Sequence, residues 1–424
     1  MFEKYDAYKD SGIQWIGRIP EHWEIEKAKW IFLKADRPIR PNDGIVTCFR
    51  DGEVTLRSNR RTDGFTNALK EHGYQGIRKG DLVIHAMDAF AGAIGVSDSD
   101  GKSTPVYSAC IPRIKNRINV HYYAYYLRNL ALAGFIESLA KGIRERSTDF
   151  RFADFAELLL PFPKLEDQER IVAFLNQKTA EIDQAIAIKE QQITFLNERK
   201  QIVIQKAVTQ GLDPNVPMKD SGVEWIGQIP EKWKLMRLKF LLSEINVRSE
   251  TGDETLLSLS KYKGVIPKDA LDERAGGAST LVGYKKVFKD NLVINKMQAV
   301  NGLLAVSELE GITSPDYSVY SAKDNSVSIH YITFLLNQPE YLAEMKKRVT
   351  GVMEGFIRLY TDDLFDIKVL LPSYAEQLKI VQYINTVIKQ VEEATSNLVQ
   401  QIEKLKEYKT TLINDAVTGK IKVA

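Results

Sequence analysis

Cysteine and long apolar runs are scarce in this sequence, and each shortage excludes a class of protein. Two cysteines, Cys48 and Cys110, are too few for a disulfide framework or a thiolate zinc site, which fits a reducing compartment. No stretch approaches the roughly 18 apolar residues that span a membrane, and the first residues lack the apolar region of a secretion signal. We therefore expect a cytoplasmic protein with buried thiols and no membrane association.

An excess of charge of one sign is also lacking. The 58 basic residues nearly balance the 56 acidic ones, and no long basic tail is present. Any nucleic-acid binding must therefore come from a local basic surface. The five histidines show no metal-ligand spacing, so no metal site is predicted.

Catalytic motifs are missing as well. The chain has no Pro-Pro dipeptide, which excludes the Asn/Asp-Pro-Pro-aromatic motif that positions an adenine for methyl transfer. Gly95 is one residue too far from Gly101-Lys102-Ser103 for a phosphate-binding loop, and Pro105 opposes the helix that must follow. We predict no catalytic residues, and no cofactor bound by this chain.

What the sequence does contain is one unit carried twice. The stretch Lys9–Trp23 returns 210 positions later as Lys219–Trp233, with eleven of fifteen residues identical. Tryptophan, glycine and proline recur at fixed offsets, which chance explains poorly. The register continues through the interior and, after the loss of one residue, holds at an offset of 209. The chain, at 424 residues, is therefore a tandem duplication with at least two domains.

Each copy divides in the same way. A block with short β-rich runs and one helical stretch (residues 122–139 and 331–348) precedes a helix of about 45 residues, which begins after Pro163 or Pro372. We predict an α+β fold with two mixed α/β globular domains separated by two long helices. The boundaries are 1–162, 163–212, 213–371 and 372–424; residues 1–212 are called the first copy and 213–424 the second copy.

The long helices carry an apolar stripe with a period of seven residues. Such a narrow stripe is buried by another helix, so we predict that the two helices pack as an antiparallel coiled coil with pseudo-two-fold symmetry. The stripe residues, called the seam, are Leu175, Ile182, Ile186, Ile193, Leu196, Ile384, Ile388, Val391, Leu398, Ile402 and Leu405. Lys189, Lys200 and Lys409 interrupt the seam, and they either fix its register or extend to the surface.

Two repeated motifs resemble those of the specificity subunits of type I restriction-modification systems. The first is Ser-Gly-x-x-Trp-Ile-Gly-x-Ile-Pro-x-x-Trp, at the start of each copy. The second, at residues 163–171 and 372–380, is similar to the family's Pro-Leu-x-Glu-Gln-x-x-Ile, although Asp167 replaces Glu and Tyr374 replaces Leu. The resemblance covers nearly the whole chain.

The resemblance implies a function and a set of partners. Each globular domain would be a target-recognition domain that reads one half of an asymmetric, bipartite site in double-stranded DNA. The helices would set the spacer length and dock two methylation subunits, which bind S-adenosylmethionine. Restriction subunits, which use ATP and Mg²⁺, would complete the complex. The alternative is a structural adaptor whose coiled coil and globular domains bind proteins instead of DNA.

Candidate DNA-contacting residues are basic or polar, because arginine forks onto guanine and asparagine or glutamine onto adenine. In the first copy they are Arg57, Ser58, Asn59, Arg60 and Arg61, then His85 and Asp88, then Lys141, Arg144, Arg146 and Ser147. In the second copy they are Lys261, Tyr262 and Lys263, then Lys296 and Gln298, then Gly351 and Arg358. The alternative for each group is an ordinary solvated loop.

Two further expectations concern the same regions. A carboxylate at Asp88 suits a cytosine amino group, whereas the amide of Gln298 suits adenine. Met87 and Met297, beside them, are expected in the core. The repeated tryptophans are interpreted as structural anchors and not as base-stacking residues: Trp15, Trp23, Trp225 and Trp233.

Overall fold

The computed structural model of the chain describes residues 2–60, 72–139, 149–261, 263–271, 280–351 and 357–423. They form two compact units, residues 1–190 with 399–424, and residues 191–398. Each unit contains the globular domain of one copy, the first part of that copy's long helix, and the last part of the other long helix. The division therefore lies inside the two long helices.

The strands of the two copies correspond one to one within the described residues. In the first copy they are β1 (Tyr8–Asp10), β2 (Arg18–Pro20), β3 (Glu24–Lys27), β4 (Phe32–Lys34), β5 (Val46–Cys48), β6 (Val54–Leu56), β7 (Gln75–Ile77), β8 (Leu82–His85), β9 (Ile94–Val96), β10 (Gly101–Ser103), β11 (Tyr107–Pro112) and β12 (Leu159–Phe162). In the second copy they are β13 (Met218–Asp220), β14 (Gln228–Pro230), β15 (Lys234–Arg237), β16 (Leu242–Glu244), β17 (Leu257–Ser260), β18 (Gly264–Pro267), β19 (Lys285–Val287), β20 (Leu292–Asn295), β21 (Leu304–Val306), β22 (Gly311–Thr313), β23 (Tyr317–Ala322) and β24 (Lys368–Leu371).

A four-stranded antiparallel sheet lies at the centre of each globular domain. Its order is β4-β11-β8-β9 in the first copy and β16-β23-β20-β21 in the second. One end of β11 pairs Tyr107 with His85, and the other end pairs Pro112 with Phe32. The hairpins β5-β6 and β17-β18 pack close by. A Cβ atom on Gly95 would collide with the backbone of the first hairpin, which explains why glycine stands there.

The helices complete each copy. They are α1 (Ala28–Ile31), α2 (Val120–Leu132), α3 (Phe135–Leu139), α4 (Phe152–Glu157), α5 (Leu165–Gln210), α6 (Ile329–Leu336), α7 (Pro339–Lys346), α8 (Thr361–Phe365) and α9 (Tyr374–Val417). The single helical stretch predicted in each copy was wrong, because each is two helices. Gly134 has φ of 81° after α2, and Pro339 begins α7. Both residues interrupt a continuous helix.

The long helices α5 and α9 confirm the predicted fold class. They begin just after Pro163 and Pro372 and run for 46 and 44 residues. Every seam residue is buried or half-buried along them. None of the helices in the described ranges combines the length and the apolar character that crossing a membrane requires.

Two seam lysines bind the opposite helix within the first unit. Lys189 Nζ donates to Gln401 Oε1 at 2.6 Å, and Lys409 Nζ lies 2.7 Å from Asp183 Oδ1. Both contacts run between α5 and α9, and the numbers rise on one helix as they fall on the other. The helices are therefore antiparallel in this unit. The contacts favour the interpretation that these lysines fix the register.

A buried glutamine attaches each long helix to its globular domain. The Gln168 side chain accepts from Asn119 N at 2.7 Å and donates to Arg117 O at 3.1 Å and Pro163 O at 2.8 Å. Gln377 makes the same three bonds, with Ser328 N, Ser326 O and Pro372 O. Both side chains are fully buried. The glutamine of the second motif is thus a structural link that satisfies backbone groups on both sides.

The first motif packs into the core, as predicted for its tryptophans. Trp23 and Trp233 are buried, and Trp233 Nε1 donates to Glu376 Oε1 at 3.0 Å. The ring of Trp15 lies 4.4 Å from that of Phe135. The ring of Trp225 meets that of Tyr341 edge to face, with 5.0 Å between the ring centres. The two cysteines are buried free thiols, also as predicted.

Candidate nucleic-acid interface

The turn after β8 joins three polar residues of the first copy. Asp88 Oδ1 accepts from Arg50 Nη2 at 2.8 Å, and Asp88 Oδ2 lies 3.0 Å from His85 Nδ1. Burial lowers the pKa of His85, whose ring stacks on Tyr107 at 4.5 Å. The Arg50 side chain remains 64% exposed while its guanidinium lies 6.0 Å from the Phe90 ring. Asp88 therefore holds an exposed guanidinium in a defined place.

Arg50 is a site residue that sequence reasoning missed. It begins the tip of the β5-β6 hairpin, followed by Asp51 and Gly52. An Asp-Gly pair between two β-rich runs is a recognised hairpin signal, so the tip was readable from the sequence. Its contact with Asp88 was not, because 38 residues separate the two.

The predicted stretch around Arg60 lies just beyond β6, where Arg57–Asn59 form a 3₁₀ turn. Arg60 Nη1 lies 2.6 Å from Asp51 and 2.8 Å from Glu53, and its guanidinium covers the Phe49 ring at 4.2 Å. Its charge is therefore already paired. Arg57 Nε donates to Thr47 Oγ1 at 3.3 Å, Asn59 Nδ2 donates to Thr55 Oγ1 at 2.7 Å, and Ser58 is exposed. Arg61 lies outside the described residues.

The equivalent turn of the second copy, after β20, carries different groups. Asn295 stands at the position of His85, and its Oδ1 accepts from Met297 N at 3.0 Å. Lys296 Nζ donates to Pro315 O at 3.5 Å, and burial together with nearby Lys285 lowers the pKa of Lys296. Gln298 Oε1 accepts from Asn301 Nδ2 at 2.6 Å. The turn offers amides and an ammonium group where the first copy offers a carboxylate and an imidazole.

Further charged residues surround Lys296. Arg358 Nη2 lies 3.2 Å from Asp316 Oδ1. The buried Lys285 Nζ donates to Glu244 Oε1 at 2.9 Å, and Thr361 Oγ1 donates to Glu244 Oε2 at 2.7 Å. Burial raises the pKa of Glu244, but the bonds from Thr361 and Lys285 outweigh it and leave that pKa below its usual value. Arg358 is therefore a partly exposed cation paired with Asp316.

The hairpin tips also correspond. Lys261 and Lys263 are exposed at the tip of β17-β18, which is the counterpart of the tip that carries Arg50. The two stretches compared in the sequence, around Arg57 and around Lys261, are therefore not equivalent; the counterpart of Arg57 is Lys268. Tyr262 lies outside the described residues.

The remaining candidates surround the loop before α4 and α8. Lys141, Arg144, Arg146 and Ser147 lie outside the described residues. In the second copy Gly351 has φ of 113°, which favours glycine, and Thr350 pairs with Arg358 across an antiparallel bridge. Met87, expected in the core, is 47% exposed, so that expectation was wrong. It lies at the outer surface of the turn, beside Asp88.

A separate group of metal-ligating residues lies in the second copy. Asp290, Glu308 and His330 each contribute one possible ligand atom, and these three atoms lie within 4.8 Å of one another. His330 Nε2 lies 3.7 Å from Asp290 Oδ1, and both carboxylates are exposed. Asp290 precedes β20, at the opposite end of that strand from Lys296, so the group is not part of the candidate interface. We interpret it as a surface ion pair.

The chain is similar in sequence to two specificity subunits of type I restriction enzymes. The chain is 24% identical over 453 residues to the putative type I restriction enzyme MjaX specificity subunit of Methanocaldococcus jannaschii, covering 100% of this chain and 98% of that protein. It is 25% identical over 431 residues to the MjaVIII specificity subunit of the same organism, covering 96% and 94%. No family model matches the chain.

Solved structures agree on the fold. A chain from a structure of complex assembly and conformational transition of the type I R-M system matches with a TM-score of 0.68 and 15% identity, over 94% of this chain and 98% of that one. The HsdS subunit of Thermoanaerobacter tengcongensis matches with a TM-score of 0.57 and 15% identity, over 95% and 98%. The resemblance inferred from the repeated motifs is confirmed. The chain is a homologue of type I restriction enzyme specificity subunits.

Proposed function

We propose that this chain is the DNA sequence-specificity subunit of a type I restriction-modification complex. In this proposal each globular domain is a target-recognition domain that reads one half of an asymmetric, bipartite site in double-stranded DNA. The coiled coil sets the spacer between the halves. A helix rises about 1.5 Å per residue, so α5 and α9 are each long enough to span roughly two turns of B-DNA.

The observation that carries the proposal is one backbone with two sets of side chains. Asp88 and Gln298 each precede a 3₁₀ turn, and the two turns are equivalent. The backbone angles of the two residues are nearly equal, φ −111° and ψ 8° for Asp88 and φ −119° and ψ 9° for Gln298. Arg50 and His85 accompany the first residue, whereas Lys296 and Asn295 accompany the second. Because base identity is read through donor and acceptor patterns, these two turns suit unlike half-sites.

The first copy calls for a revised assignment of roles. A free Asp88 carboxylate was expected to accept from cytosine, but it is already bound to Arg50. We propose that Arg50 is the group that contacts DNA, through a guanine edge or a phosphate, and that Asp88 orients it. In the second copy Arg358, Lys296 and Gln298 take the contacting roles.

The partners follow from the same proposal. The chain itself is non-catalytic and binds no cofactor. Two methylation subunits dock on the long helices and bring S-adenosylmethionine, and restriction subunits bring ATP and Mg²⁺ where they are present. Support comes from the relatives, which are specificity subunits, and from the type I assembly to which the first structural match belongs.

Fluorescence anisotropy tests the proposal. The chain, purified with its methylation partner, should bind random duplex with an affinity that falls steeply with salt, because each neutralised phosphate releases counterions. Mapping of methylated adenines in a host should then give a target split into two unlike halves. Partner binding without salt-sensitive DNA binding would instead favour the structural adaptor. A symmetric, undivided target would overturn the proposed reading of two half-sites.

A further inference from the structure

Each copy exposes one aromatic ring at the same place. Trp30 in α1 and Phe240 in the corresponding 3₁₀ turn, Leu238–Phe240, are both 58% exposed. They are counterparts at the offset of 210. A single exposed aromatic residue needs no explanation, but the same exposed position in both copies is less easily attributed to chance.

Cations surround the ring in the first copy. The Arg113 guanidinium lies 5.7 Å from the centre of the Trp30 ring, and Lys29 Nζ lies 6.0 Å from it. Arg113 Nε also donates to Lys29 O at 3.1 Å, which holds the arginine beside the ring. Lys29 Nζ also lies 2.6 Å from Glu157 Oε1, so the apolar face of the ring has a rim of mixed charge.

The second copy repeats this arrangement with different residues. Lys239 Nζ lies 5.4 Å from the centre of the Phe240 ring. Lys323, the counterpart of Arg113, donates from Nζ to Lys239 O at 2.6 Å. Two residue types have changed, Trp30 to Phe240 and Arg113 to Lys323, and yet the exposed ring, the flanking lysine and the cation bound to the carbonyl of that lysine remain.

The patch lies far from the candidate DNA-reading turn. Strand β11 pairs with His85 at its first residue and with Phe32 at its last, two residues after Trp30. A six-residue strand separates its ends by roughly 17 Å. In the second copy β23 likewise pairs with Asn295 at one end and with Leu242 at the other. The ring is therefore at the opposite end of the central sheet from the turn.

The patch instead adjoins the start of the long helix. A cleft of about 450 Å³ beside Trp30 is lined by both acidic and basic side chains and by apolar ones, among them Glu24, Glu26, Arg113, Ile114, Arg117 and Phe162. Ile114 is 49% exposed, and Arg117 covers the Phe162 ring at 5.1 Å. Phe162 is the last residue of β12, three residues before α5 begins. A partner seated here would contact the base of the globular domain.

We propose that Trp30 and Phe240 are the anchors of two equivalent docking surfaces, one for each of two identical methylation subunits. The inference rests on the proposed function. Readers of unlike half-sites must differ between copies, whereas surfaces for two copies of one partner must share their main contacts. The exposed ring and the lysine beside it recur in both copies, although Asp324 stands where the first copy has Ile114. A buried aromatic anchor with an arginine neighbour is the usual centre of a protein interface. The matching partner surface is an apolar pocket that receives the ring.

Native mass spectrometry and sedimentation with the methylation subunit of the same system test this inference. The full-length wild-type chain should bind two subunits. Trp30→Ala or Phe240→Ala should each weaken the binding of one methylation subunit by about 30-fold or more, and the double variant should weaken the binding of both. Phe288→Ala is the matched control, because Phe288 is 41% exposed and its counterpart is Arg78. The exchanges Trp30→Phe and Phe240→Trp should keep two subunits bound.

The outcomes separate this inference from the proposed function. A wild-type chain that binds no methylation subunit contradicts the proposed function itself. A wild-type chain that binds two, with a double variant that binds both within about threefold of the wild-type affinity, overturns only the docking surfaces. Loss of DNA affinity with two subunits retained also overturns them, and it would assign the rings to nucleic acid. Unfolding midpoints close to wild type exclude misfolding as the cause of a loss.

Discussion

The turns after β8 and β20 have the same backbone and unlike chemistry. Gly92 and Gly302 end the two turns with φ of 89° and 78°, so the chain follows one path in both copies. In the first copy Asp88 of this turn pairs with Arg50 from the β5-β6 hairpin, whereas Gln298 stays exposed in the second copy. The frame is thus independent of the groups it presents. A duplicated unit of this kind is able to change its recognition without changing its fold.

The largest expected effect concerns the buried glutamines that link each long helix to its globular domain. Replacing the buried amide in Gln168→Ala or Gln377→Ala leaves one backbone N–H and two carbonyl groups without their partner, and each change should lower the free energy of unfolding by about 3 kcal/mol. Denaturant unfolding followed by circular dichroism measures the loss. Gln177→Ala, at an exposed position of α5, is the control and should change little. A strong effect in only one copy would contradict the equivalence of the two frames.

The second effect concerns the readers. Arg50→Ala should weaken binding to one half of the mapped target by about 1–3 kcal/mol, and Arg358→Ala should weaken binding to the other half by a similar amount. The measurement is anisotropy with duplexes in which one half-site at a time is randomised. Arg113→Lys is the control: it retains a positive charge at a position far from the two turns, so it should leave the half-site preference intact. If Arg50→Ala weakened binding to both half-sites equally, the assignment of one half-site to each copy would be wrong.

Much of the backbone structure shared by the two copies was predictable from the sequence, because it depends on local sequence patterns. Repeated tryptophans and glycines revealed the duplication, and the seven-residue period revealed the seam. The break before Pro339 was also readable, although the stretch was interpreted as one helix. These features depend on residues close in sequence or on a fixed offset, so no knowledge of the tertiary contacts is required.

The candidate site was less predictable, because its geometry depends on contacts between distant residues. Asp88 was selected as a reader on its chemistry, but Arg50, 38 residues away, occupies its carboxylate. Arg60 was selected for its charge, but Asp51 and Glu53 pair with it. Charge in a sequence therefore marks where polar contacts will form. It does not say which residue of a pair remains exposed to a ligand.

A smaller effect concerns the seam. The pair between Lys409 and Asp183 is partly exposed, with 29% and 57% of the two side chains accessible, so Asp183→Asn should lower the free energy of unfolding by only about 0.5 kcal/mol. Thermal unfolding at low and at high salt measures it, and the difference from wild type should shrink in 1 M salt (roughly a 3 Å screening length). Glu198→Gln, at an exposed position of α5, is the control. A salt-independent loss of several kcal/mol would mean that the pair is essential to the coiled coil.

The smallest effect is a difference in how stability depends on pH at the starts of α5 and α9. Asp167 is 5% exposed, and its counterpart is Glu376, which accepts from the neutral Trp233. Burial raises the pKa of Asp167, but bonds from Arg170 and His22 outweigh it and hold that pKa below the usual value. The carboxylate therefore stabilises the fold above the unfolded pKa of about 4. This contribution is lost as the pH falls through the lower, folded pKa.

Asp167→Asn should accordingly make the first unit less stable near neutral pH and flatten its loss of stability below about pH 4. The measurement is denaturant unfolding of the wild type and the variant at several pH values between 2.5 and 7. The two curves should converge at the acid end, because the wild-type carboxyl is then neutral as well. Curves that stay parallel over the whole range would show that the ionised carboxylate contributes nothing, and its bonds with Arg170 and His22 would then be incidental to how α5 joins its domain.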